Sequence, residues 1–129
     1  MRLDPDCIRD ILLAVEDVVD GTNRFEYERY GDIHKRLKGY SHDVLHYHFQ
    51  QCNAHGLISG FRRHDGGDWI LIADLTPEGH AFLANIRSNG FWNKVKGIAV
   101  KIGTPALSSI LQIAENLAAS AISDYFKIP

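Results

Sequence analysis

Apolar residues recur at helical spacing near the start of the chain. Ile8, Ile11, Leu12, Val15, Val18 and Val19 line one face of a segment opened by Asp4-Pro5-Asp6. Asp4 suits the N-cap, Pro5 the first helical position and Asp6 the positive helix end, so a first helix is expected to run to Asp20-Gly21. Residues 24–28 alternate aromatic and charged side chains, the pattern of a short edge strand. A small helix is expected from Asp32 to Leu37, with Ile33 and Leu37 inward, followed by a turn at Lys38-Gly39-Tyr40. Ser41 then caps a helix of about 42–55, with Leu45, His48, Phe49 and Cys52 on one face and His55-Gly56 at its end. Two apolar runs, 57–61 and 69–73, flank the polar stretch Arg62-Arg63-His64-Asp65-Gly66-Gly67-Asp68 and predict a hairpin with those residues at its tip. Thr76-Pro77-Glu78 opens a further helix reaching about Ser88. Asn89-Gly90 interrupts it, 91–102 continues as helix, and Thr104-Pro105 starts a last helix to about Phe126.

Helix, strand, small helix, turn, helix and hairpin in that order describe a winged helix domain, here over about 1–88. The fold class is therefore mainly helical with a small β-hairpin. A helical extension, 89–129, completes the chain. At 129 residues it can bury a core without disulfides or metal, and Cys7 and Cys52 are too few for a disulfide framework. No leader pattern and no uncharged apolar stretch of spanning length appear, so a reduced cytoplasmic setting in a bacterial host cell, with no stable membrane insertion, is the expectation.

The resemblance adds a setting. Leu75-Thr76-Pro77-Glu78-Gly79-His80-Ala81-Phe82-Leu83 resembles the segment that follows the wing in several bacterial winged helix regulators. Asp4 to Leu13, Leu57-Ile58, Asp74 to His80, Asn85-Ile86-Arg87 and Trp92 to Lys96 together are similar to an uncharacterised family of small winged helix proteins, many encoded in phages and prophages. That resemblance implies a fold and a phage-like setting. It carries over no catalytic residue.

The net charge of −2 is unevenly spread. Residues 1–28 hold three basic and eight acidic side chains, whereas 29–64 hold six basic and two acidic. All seven histidines lie between 34 and 80. On the 42–55 helix the outward face would carry Asp43, His46, Tyr47, Gln50 and Ala54, with His42 at its edge. Together with Ser41, these would enter a major groove in a DNA-binding regulator, with Gln50 suited to an adenine edge. Lys35, Arg36, Lys38, Arg62 and Arg63 would grip phosphates. Against this, the outward face has no cation, and the pI of about 6.4 is low for a DNA binder. The expected function is a non-catalytic, sequence-specific DNA-binding transcription regulator on double-stranded DNA. The alternative is a protein-binding module acting on a host or phage protein.

No enzyme signature is legible. His42 and His46 share a helix face at metal-ligand spacing, but no third and fourth ligand follow, and a solvated polar face is the simpler reading. Cys7 and Cys52 read as small core residues. No cofactor is expected. In the last helix Leu107, Leu111, Ala114, Ala118, Ala121, Tyr125 and Ile128 recur at heptad steps, with Ile110, Ile113 and Leu117 widening the stripe. Alanines in the middle permit close approach. The expectation is a homodimer seam through this helix, or the same stripe folded back on Ile8, Ile11, Val15 and Phe82.

Overall fold

The computed structural model describes residues 1–103 and 106–127. The proposed helix start at Thr104-Pro105 and the seam residue Ile128 lie outside them. The elements are α1 (Pro5–Val18), β1 (Phe25–Glu28), α2 (His42–Ala54), β2 (Ile58–Ser59), β3 (Arg62–His64), β4 (Trp69–Ile72), β5 (Asp74–Leu75), α3 (Pro77–Ile86), α4 (Asn89–Ile102) and α5 (Leu107–Tyr125). The fold is thus mainly helical with a small antiparallel sheet.

The helix starts follow their caps. Asp4 accepts from the Asp6 amide at 3.0 Å, Ser41 from Val44 at 3.3 Å and Thr76 from Gly79 at 3.0 Å. Each cap satisfies a donor that the first turn leaves without an intrahelical partner. Ser88 does the same for Phe91 at 3.2 Å, so Asn89-Gly90 form the first turn of α4 and do not interrupt a longer helix. Sequence reading missed that serine as a cap.

The expected small helix at 32–37 is absent. The segment closes in turns, with Leu37 N–H bonded to His34 and Tyr40 N–H to Leu37. Six residues are too few to sustain a helix alone. His34 Nδ1 also takes the Arg36 amide at 3.1 Å, which competes with helical pairing. Side chains instead strap the segment along α1: His34 to Asp17 at 2.8 Å, and Tyr40 to Asp10 at 2.6 Å.

β1, β4 and β3 form a three-stranded antiparallel sheet in that spatial order, and β2 pairs with β5. Phe25 pairs with Ile72 across β1 and β4. Arg63–Ile70 and Ile58–Leu75 share one continuous register, so β2–β3 and β4–β5 are the two arms of a single bent hairpin. Its bend sits at Gly60, where φ is +64° and a Cβ would lie 2.5 Å from that of Ala73. The hairpin is the expected one, but its strands run further, and only 65–68 turn.

One apolar core joins α1, the sheet, α2, α3, α4 and the first half of α5. It does not stop at residue 88: Trp92, Val95, Ala99, Leu107, Ile110 and Ala114 belong to it. Gly79 explains the Leu-Thr-Pro-Glu-Gly segment. A Cβ there would lie 2.0 Å from the Leu57 carbonyl oxygen, so α3 can press on the hairpin root only with glycine at this position. The thiols of Cys7 and Cys52 are wholly buried, and burial raises both well above the usual range, Cys52 to about 12. Both pack as small apolar groups.

Candidate functional site

The N-terminal half of α2 meets the turn of the hairpin. His42 stacks on Tyr27, ring centroids 5.7 Å apart, and its Nδ1 lies 2.8 Å from the Tyr27 hydroxyl. Its Nε2 faces Asp68 at 3.5 Å, and Asp68 also receives Arg29 at 3.4 Å. With a carboxylate beside Nε2, the protonated nitrogen is that one, and Nδ1 accepts from Tyr27.

His46 lies one turn on, 5.9 Å from the His42 ring, and Arg63 Nη1 reaches its Nε2 at 3.4 Å. Burial, then Arg63 and His42, hold His46 below the ordinary histidine range. It stays neutral at pH 7 and accepts from Arg63. Gly67 seats directly on this ring, where a Cβ would fall 2.4 Å from Nε2.

The sequence-predicted residues therefore separate. His42 and His46 are wired beneath the hairpin turn instead of lying on the open outer face of α2. Ser41 is spent on its cap. Asp43 and Ala54 are exposed, and Tyr47 and Gln50 half-buried, so the free line of α2 is Asp43, Tyr47, Gln50 and Ala54. Lys35 and Lys38 stand exposed on the strap along α1, while Arg36 faces Asp10 at 3.6 Å. Arg62 and Arg63 are strand residues and do not sit at a tip. Successive strand side chains alternate faces, so Arg63 stands on the α2 side with Ile70 and Tyr27, and Arg62 on the opposite side with Leu71 and Glu26. The turn itself holds Asp65, Gly66, Gly67 and Asp68, and is acidic.

His48, expected to be hydrogen-bonded and partly buried, is fully buried. Its Nε2 accepts from the Asp4 amide at 2.8 Å, and its Nδ1 bonds the Val44 carbonyl at 2.7 Å. It joins α1 to α2 and is structural. Among the described residues no group of three or more His, Cys, Asp or Glu could hold a metal ion.

On the outer side of the same turn lies a cleft of about 520 Å³ lined by Glu28, Arg29, Tyr30, Gly31, Asp65, Asp68 and Trp69. Sequence reading passed over it, because residues 29–31 and 65–69 meet only through strand pairing: Glu28 faces Trp69, and the Arg29 amide bonds the Asp68 carbonyl at 2.8 Å. Tyr30 is 83% exposed, with the Arg29 guanidinium 5.2 Å from its ring centroid. The Trp69 indole N–H is buried without a partner among the described residues. Asp68 joins the cleft to His42, so the cleft and the head of α2 form one surface.

The predicted seam of α5 also divides. Leu107 and Ala114 are buried in the chain's own core, Leu111 and Ala118 are half-buried, and Ala121 and Tyr125 are exposed. The seam is thus half core and half free surface.

No solved structure matches this chain. A protein of Haemophilus influenzae (strain Rd), described as an uncharacterized protein, is 29% identical over 119 residues, covering 91% of this chain and 95% of its own. The sequence pattern described as "Hypothetical protein (DUF2513)" matches residues 2–105, most of the core just described, and the chain belongs to that family.

Proposed function

We propose that this chain is a non-catalytic winged helix module that binds a protein partner through the cleft at its hairpin turn and the adjoining head of α2. The topology supports the winged helix part. β1 pairs with the return strand of the hairpin, and α2 precedes that hairpin as a recognition helix would. The observation that carries the binding reading is the cleft itself. Exposed Tyr30 under Arg29, beside Trp69 with an unmatched indole donor, gathers the three side-chain types most enriched at protein-interface hot spots. The resemblance to phage- and prophage-encoded proteins supports a host or phage protein as that partner.

DNA is the second reading, favoured by exposed Lys35, Lys38, Arg62 and Arg63. Three features weigh against it: the acidic hairpin turn, Asp43 on the open line of α2, and the diversion of Arg63 to His46. The test is a photo-crosslinking amino acid at position 30, with a second at position 47, in cells of a bacterial host. A single protein adduct, lost on Trp69→Phe or Arg29→Ala, is the expected result. Retention of random duplex at low salt, with log affinity falling against log salt at a slope of roughly −3 to −4 through about four lysine and arginine contacts, would replace this reading with the DNA one.

A further inference from the structure

The last two turns of α5 and its C-cap carry large apolar side chains that are uncovered. Ile122 is 61% exposed, Tyr125 82% and Phe126 73%. At about 100° per residue these side chains fall on the same helix face as Leu111, Glu115 and Ala118, a face that adjoins the side holding Ile110, Ala114 and Leu117 and continues it past the end of the core. One unbroken stripe therefore runs Leu111, Glu115, Ala118, Ile122 and Tyr125/Phe126.

At its N-terminal end the stripe borders a groove of about 390 Å³ between α3 and α5. Its floor is Leu57, Ala81, Phe82 and Leu111, and Glu78 and Glu115 stand at its sides. At its C-terminal end the stripe carries the exposed aromatics, and Lys127, 3.4 Å from Asp124, follows the helix end. Groove floor and tail are both apolar, and they occupy opposite ends of one helix face.

We propose that this face is closed by a second copy of the chain, with the two α5 helices packed antiparallel across a two-fold axis near Ala118–Ala119. Leu111 and Phe126 are equidistant from that point, so each copy's Ile122, Tyr125 and Phe126 would enter the other's α3–α5 groove. Lys127 would exchange its exposed contact with Asp124 for Glu78 or Glu115 of the other copy. A two-fold contact requires this self-complementarity. Alanine at the crossing lets the helix axes approach closely. Two exposed aromatics offer on the order of 150–200 Å² each, so tail and groove together bury roughly 600–800 Å² per partner, within the range of specific dimers. The inference does not depend on what the hairpin cleft binds.

Sedimentation equilibrium of the full chain at up to roughly 100 μM, the range in which a modest interface associates, is the test. Wild type is expected to dimerise. Ile122→Glu and Phe126→Glu are expected to give folded monomers with unchanged far-ultraviolet circular dichroism, since neither side chain belongs to the core. Orientation is read by oxidation of single cysteine variants. Ala118→Cys should cross-link readily, and Ser108→Cys should not, because two residues at 108 would lie about 30 Å apart in the antiparallel pair. The buried Cys7 and Cys52 keep the background low. Efficient cross-linking at both positions overturns the antiparallel arrangement. A wild type that stays monomeric overturns the dimer. A monomer that instead sediments with vesicles of anionic phospholipid overturns it in favour of a membrane surface.

Discussion

The first turn of α1 and the last turns of α5 are opposites. At the start of α1 every long side chain has a partner. Asp6 accepts from the Trp92 indole at 2.8 Å and from Lys96 at 2.9 Å. Arg9 donates to the Ile86 and Arg87 carbonyls at 3.1 and 2.6 Å, closing the free end of α3. The Asp4 amide donates to buried His48. Four helices are tied at this one place, and its polar groups are satisfied within the chain. At the end of α5 Ile122, Tyr125 and Phe126 stand exposed, the two rings edge to face 5.2 Å apart. The first region can be disturbed only at the expense of the fold. The second can be changed with no effect on the fold, which is what a contact surface requires.

The largest expected effect is at the first region. Trp92→Ala should remove about 3–5 kcal/mol of stability, through lost burial, a cavity and the loss of one of the two donors to Asp6. Chemical denaturation of the variant checks this, and a loss below about 1 kcal/mol would show that α4 is not part of the core. Gly79→Ala should cost about 1–3 kcal/mol by overpacking, because its Cβ would strike the Leu57 backbone and α3 would have to back away. At the same helix, Ala84→Gly should cost only about 1 kcal/mol from propensity. His48→Leu keeps the volume but strands the Asp4 amide, for about 1–3 kcal/mol.

The hairpin turn gives a smaller, pH-dependent effect. His46 has a lower proton affinity in the folded state than in the unfolded one, so protonation favours the undocked turn. The contribution is full above about pH 6.5 and declines as the pH falls through the depressed folded value. Arg63 and His42 oppose the new charge, while Asp43 and Asp68 moderate it. Amide shifts of Gly67 and Asp68 should move together on acidification, and should stay fixed in His46→Gln. The smallest effect belongs to α5. Tyr125→Ser should alter monomer stability by less than about 0.5 kcal/mol.

Most of this contrast was legible in part. Asp4-Pro5, Ser41 and Thr76-Pro77 mark three helix starts because capping is a local interaction between residues two or three apart. The hairpin was legible from its two apolar runs. The strap at 32–40 was not, because its conformation is set by Asp10 and Asp17, more than a dozen residues away. His42 and His46 read as an open face because only the register of the hairpin brings Asp68, Gly67 and Arg63 over them. The Tyr30–Trp69 cleft was invisible for the same reason. In α5 the heptad rule pointed to the right helix and to one face, since Leu107 and Tyr125 point the same way about five turns apart. It could not show where along the helix the rest of the core stops covering that face, because the cover comes from α3 and α4.

The central claim is that α5 is core in its first half and contact surface in its second. Hydrogen exchange measured on dilute and on concentrated protein tests it most directly. Amides in the interior of α1 and of residues 110–114 should exchange at the same slow rate in both samples. Amides of 118–126, with those of α3 beside the groove, should gain protection as concentration rises. Protection of 118–126 that is independent of concentration would contradict the account.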